Sequence, residues 1–120
     1  MKIGLLTYHH SANYGAVMQS YATCRALKEL GHEVEFINFQ QDEKRSNSSI
    51  IFYFKIKAFD RFMETFYPSE TKMIQSMDDL NAIASNYDCL MVGSDQVWNP
   101  EISQGKCLAY FLDFGESDIR

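Results

Sequence analysis

Three short apolar runs, separated by stretches of helical periodicity, constrain this chain more than any other feature. "KIGLLTY", Lys2 to Tyr8, begins almost at the first residue and reads as a buried parallel strand. "EVEFINF", Glu33 to Phe39, sets Val34, Phe36 and Asn38 against Glu35, Ile37 and Phe39, with strand-favouring residues at most positions. Between them, Ala16 to Leu30 places Val17, Tyr21, Cys24 and Leu27 three or four residues apart, which is one apolar stripe on a helix. Gly31 supplies the stop, because it can take the left-handed conformation at a helix C-terminus. The first 39 residues therefore predict one βαβ unit with parallel strands and a right-handed crossover.

The third run, "CLMV", Cys89 to Val92, is continuous and apolar, as a central parallel strand covered on both faces would be. Ahead of it, Phe59, Phe62, Met63 and Phe66 predict a short helix ending at Tyr67-Pro68, since proline disfavours helix in the residue before it. Ser76 with Asp79 resembles a capping box, and Leu80, Ile83, Ala84 and Tyr87 continue a second short helix. "QQDEKRSNSS", residues 40–49, is a polar loop. "AYFLDF", Ala109 to Phe114, reads as one more strand. The fold class is α/β and Rossmann-like, a mostly parallel sheet flanked by helices, and 120 residues allow a single domain.

Composition excludes several functions. Eleven basic against 16 acidic residues leave a net charge of -5, which repels a phosphate backbone, so nucleic acid is not an expected partner. Three cysteines without paired short spacing indicate neither a disulfide framework nor a zinc knuckle, which fits a reducing, cytoplasmic setting. The N-terminal apolar run is too short for a signal peptide, and no run approaches transmembrane length. Neither a metal site nor a cofactor is indicated.

In open α/β sheets, ligands bind beyond the carboxyl ends of the strands, which directs attention to two loops. Thr7 to Ala16, "TYHHSANYGA", offers Ser11 or Asn13 as a helix N-cap, Tyr14, and Gly15 with no Cβ to obstruct a ligand. His9 and His10 can add a proton donor or a cation. The spacing lacks both GxGxxG and the P-loop lysine, so it does not read as a nucleotide loop. The plainer alternative is that Asn13 only caps and one histidine packs on a neighbouring loop. In the second loop, "GSDQVWNP", Gly93 allows a sharp exit from the strand, while Ser94, Asp95, Gln96 and Asn99 present short polar groups suited to sugar hydroxyls. Trp98 offers a flat apolar face for a pyranose. The alternative here is that Asp95 caps a turn and Trp98 fills the core.

"MKIGLLTYHHSANYGAVMQSYA", "YDCLMVGSDQVWNP" and "YFLDF" together resemble the N-terminal part of the polysaccharide pyruvyl transferase family. The resemblance spans nearly the whole chain and is weakest between Gln40 and Ser76. It implies a two-lobed, GT-B-like enzyme that moves the enolpyruvyl unit of phosphoenolpyruvate onto a sugar of a cell-surface polysaccharide or its lipid-linked precursor. This chain would then be a partial N-terminal lobe, lacking the second lobe and inactive alone. In that chemistry Asp95 is the candidate base and His9 or His10 the candidate acid, with Ser11, Asn13, Tyr14, Gly15, Gly93, Ser94, Gln96, Trp98 and Asn99 binding substrate. Arg25, Arg45, Arg61 and Arg120 all lie outside the two loops, so the main ligands of the donor's phosphate and carboxylate are expected elsewhere. "SIIFYFKIKAFDRF", Ser49 to Phe62, interleaves aromatics with Lys55, Lys57 and Arg61, which suits peripheral contact with the inner membrane face as well as ordinary core. A nucleotide-sugar glycosyltransferase lobe and a non-catalytic carbohydrate-binding module are the rival classes.

Overall fold

The computed structural model describes residues 1–11, 13–40, 50–67, 69–93, 96–99, 101 and 107–115. Its centre is a three-stranded, fully parallel sheet made from the three apolar runs: β1 (Lys2–Leu6), β2 (Glu33–Phe36) and β3 (Cys89–Val92). The order is β2-β1-β3, with Ile3 opposite Val34 on one side and Cys89 on the other. The middle strand is thus the first in sequence, and the chain leaves it towards opposite edges. Such a reversal creates a switch point between β1 and β3, where loops part and leave a crevice.

Alternation along β1 sends side chains to two layers. Leu5 joins Cys24, Val34 and Phe36 on one face, under α1 (Tyr14–Glu29) and Tyr67, while α2 (Ile50–Phe66) lays Phe59 and Phe62 against Tyr14 and Tyr21 of α1. Leu6 joins Ile37, Leu80, Leu90 and Val97 on the other, under α3 (Met77–Ala84) and α4 (Cys107–Tyr110). Each such fully buried aliphatic side chain is worth roughly 1.5–3 kcal/mol of transfer free energy. Both faces are covered, which is why the strands read as continuous apolar runs.

Helix ends follow their sequence signals. Asn13 caps α1, its Oδ1 accepting from the amides of Gly15 (2.8 Å) and Ala16 (3.3 Å). At the other end Gly31 adopts φ +88°, its N–H donates to Lys28 O and that of His32 to Leu27 O, a Schellman closure. Ser76 caps α3 by accepting from the Asp79 amide, and its hydroxyl donates to the Asp79 carboxylate at 2.7 Å.

Two expectations change. The helix predicted at Phe59 begins at Ile50, because the apolar and aromatic run continues upstream with no breaker. Phe59 and Met63 are buried there, Phe62 meets Tyr21 and Tyr67, and Phe54 and Phe66 stay exposed, so the helix adds a narrow stripe to the core and keeps an exposed aromatic edge. The run Ala109 to Phe114 is not a strand. Cys107–Tyr110 forms a helical turn, Leu112 lies at φ 57°, and the buried side chains of Ala109, Tyr110 and Phe114 reach the core from that turn rather than from a sheet edge. The polar loop 41–49 lies outside the described residues. Among the described residues no helix is long and apolar enough to cross a membrane.

Candidate functional site

The two loops do leave from adjacent strand ends. Leu6 pairs with Val92, and the Gly93 amide donates to Leu6 O at 3.1 Å. A polar knot joins them to α1: the Thr7 hydroxyl meets Gln19 Oε1 and Ser20 Oγ, both at 3.2 Å, and Gln19 Nε2 donates to Thr23 at 2.9 Å. The Gln19 amide lies where a side chain at position 93 would go, 2.5 Å from an ideal Cβ, so any larger residue has to push that amide out of its hydrogen bonds.

Beyond this knot the loops part. After β1 the chain swings to the β2 side, where a short segment runs alongside: Phe36 bridges Glu70, with its N–H on Ser69 O and its carbonyl accepting from Thr71. His9 is buried, 2% exposed, its ring stacked on Phe36 at 4.8 Å. Its Nδ1 lies 3.0 Å from Thr7 O, and since a carbonyl only accepts, Nδ1 carries the hydrogen. His9 Nε2 and His10 Nε2 both meet Glu70 Oε2, at 3.1 and 2.8 Å. The His9 hydrogen bond, with His10 beside it, holds the Glu70 carboxyl below the usual carboxylate range, against partial burial that pushes it the other way. The cluster opens on a cleft of about 320 Å³ bordered by His10, Asp60, Glu64, Tyr67, Ser69 and Glu70. Burial raises the Tyr67 phenol to about 12, so it stays a neutral hydrogen-bonding group.

The β3 loop satisfies itself locally. Asn99 Nδ2 donates to Gln96 Oε1 at 3.2 Å, and Asn99 Oδ1 accepts from the Glu101 amide at 3.0 Å. Val97, not Trp98, enters the core. Trp98 is 60% exposed, pinned by Nε1 donating to Tyr110 O at 2.9 Å, with its ring nearly parallel to that of Phe111 (4°, centroids 6.0 Å apart). That is an outward flat face held at one end, which the core-filling alternative did not anticipate.

The remaining candidates divide. Ser11 does not cap; its amide donates to Tyr8 O in a turn. Tyr14 points away from both loops, against Phe59 with Lys55 over its ring. Asn13 and Gly15 form the α1 start. Ser94 and Asp95 lie outside the described residues. Thr7, Gln19 and Glu70 were missed. Glu70 sits 60 or so residues from both histidines in a polar stretch that carries no local signal, and only the strand-like pairing of residues 69–71 with Phe36 brings it in.

A three-stranded parallel sheet in the order β2-β1-β3, with helices on both faces, defines a small α/β domain. Its family is shown by comparison: the polysaccharide pyruvyl transferase model matches residues 13–118, and the chain belongs to that family. No curated protein and no solved structure gives a match.

Proposed function

We propose that this chain forms one wall of a pyruvyl transfer site in a two-lobed, GT-B-like enzyme, and that the wall it forms is the sugar-facing one. The outward Trp98 ring, at the carboxyl edge of β3 beside two amide side chains, carries this reading. A tryptophan face packs on the apolar face of a pyranose, and the Gln96 and Asn99 amides can exchange their mutual bond for sugar hydroxyls.

The donor is phosphoenolpyruvate. A proton adds to its methylene carbon, a sugar hydroxyl oxygen bonds to the neighbouring carbon as it loses its proton, and a second hydroxyl displaces phosphate to close the ketal. Asp95, two residues after Gly93 in the sequence, is assigned the acceptor hydroxyl, either as base or as hydrogen-bond partner. His10, which borders the open cleft, is the better placed of the two histidines to donate the proton. Phosphate and carboxylate contacts fall to residues outside the two loops: Arg25 sits on α1 paired with Glu29, and Arg61 lies exposed on α2.

Trp98 is the only tryptophan, so its fluorescence reports on this wall alone. Titration with short envelope glycans should quench or shift its emission, whereas a nucleotide diphosphate sugar should do so only through its sugar. A flat response to every glycan, with a response to the nucleotide instead, would favour a glycosyltransferase lobe. Acceptor-dependent phosphate release from phosphoenolpyruvate by the whole protein, and its fate in Asp95→Asn, separates proton transfer (turnover falls, affinity stays) from binding (affinity falls).

A further inference from the structure

We propose that His9, His10 and Glu70 form a binding site for one divalent transition-metal cation of the zinc type. His9 Nε2, His10 Nε2 and a Glu70 carboxylate oxygen lie within 4.8 Å of one another, and Glu70 Oε2 is 3.1 and 2.8 Å from the two imidazole nitrogens. Ligands about 2.0–2.2 Å from a tetrahedral ion sit roughly 3.3–3.5 Å apart; both imidazole–carboxylate distances already fall inside that spacing, and movement of the partly exposed His10 and Glu70 side chains brings any wider pair, at most 4.8 Å, into it.

Three further observations favour a cation. The Thr7 carbonyl takes the Nδ1 hydrogen of His9, which leaves Nε2 as that ring's ligating atom; metal-bound histidines are oriented in this way by an outer acceptor. The His9 ring is held by burial and by its stack on Phe36, so one ligand is preorganised. The cleft beside the cluster is bordered by Asp60 and Glu64 as well as Glu70, and no lysine or arginine is among its described lining residues. Such a wall favours a cation over an anion.

Two nitrogens and one oxygen select zinc or cobalt rather than magnesium, calcium or manganese, which prefer oxygen shells. Three protein ligands leave a fourth position, on the cleft side, for water or an anionic oxygen of a small molecule. A cation uses the lone pairs that would otherwise hold protons, so cation binding and proton donation by His10 exclude each other. The site rests on the cluster's geometry and stands or falls separately from pyruvyl transfer: metal binding with no glycan response at Trp98 upholds the site and counts against the sugar-facing reading, and a glycan response without metal binding does the reverse.

The test is equilibrium dialysis of the chelator-treated chain against Zn²⁺ and against Co²⁺. One equivalent should bind, magnesium should not compete, and the cobalt form should show visible d–d bands without a strong thiolate charge-transfer band. His10→Gln and Glu70→Gln, both at partly exposed positions, should each weaken binding by at least the roughly 10–100-fold seen even for outer-shell changes, with far-UV circular dichroism retained. If either variant fails to fold, zinc-dependent thermal stabilisation of the unaltered chain and its competition by Co²⁺ carry the test. Binding far below one equivalent, a cobalt spectrum dominated by thiolate, or undiminished affinity in both folded variants overturns the site.

Discussion

The loops after β1 and β3 start from adjacent residues of one sheet edge and use their polar groups in opposite ways. After β1, His9 and His10 are tied to Glu70, a partner far away in sequence, and one ring is sealed beneath the surface. After β3, Gln96 and Asn99 bond to each other, and the largest side chain of the loop faces out. The first is a preorganised ligand set whose geometry depends on the core beneath it; the second is a locally closed turn that presents a surface. Damage to the shared core should therefore harm the first far more than the second.

The sharpest way to break that contrast is Phe36→Ala. Phe36 is 0% exposed and packs on both His9 and Tyr67, so its loss should cost about 3–5 kcal/mol in urea unfolding. Metal affinity should fall with it, while Trp98 emission in the folded variant should change little. Gly93→Ala probes the knot common to both loops. The new methyl meets the Gln19 amide, whose bonds to Thr7 and Thr23 must then shift, at a cost of roughly 1–2 kcal/mol for the neutral hydrogen bonds disturbed. Glycan-dependent fluorescence should weaken in this variant if the two loops act as one site. Asn13→Ala removes the α1 cap and should cost about 1 kcal/mol by the same unfolding measurement, leaving both loops otherwise intact.

The smallest effect concerns pH. Glu70 is held below its ordinary carboxylate value in the folded chain, so the unfolded chain takes up its proton first as acid is added. Its contribution to stability is present above the unfolded value of about 4.3 and disappears as pH falls through the folded value. Glu70→Gln should flatten the unfolding midpoint against pH in that window, and by little, because the carboxylate is substantially solvated.

Signals that act within a few residues were legible in advance. The strands, the α1 and α3 caps, the Gly31 stop and the β3 loop each depend on neighbours within a turn or a pleat. The α2 start was placed late because its first turns carry no cap or breaker to mark them. Residues 109–114 misled because aromatic, strand-favouring side chains also suit a helical turn that buries Tyr110 and Phe114. Trp98 and Val97 could not be told apart from sequence, since which of two adjacent apolar residues faces inward depends on how the turn leaves the strand.

What the sequence by itself determined is the alternation of elements and the family, because periodicity, capping and turn chemistry are local and composition is global. What only the tertiary structure decided is who meets whom at those loops. Glu70 became a partner of His9 and His10 because residues 69–71 pair with Phe36, and backbone pairing across some thirty residues leaves no periodic trace in the chain that makes it.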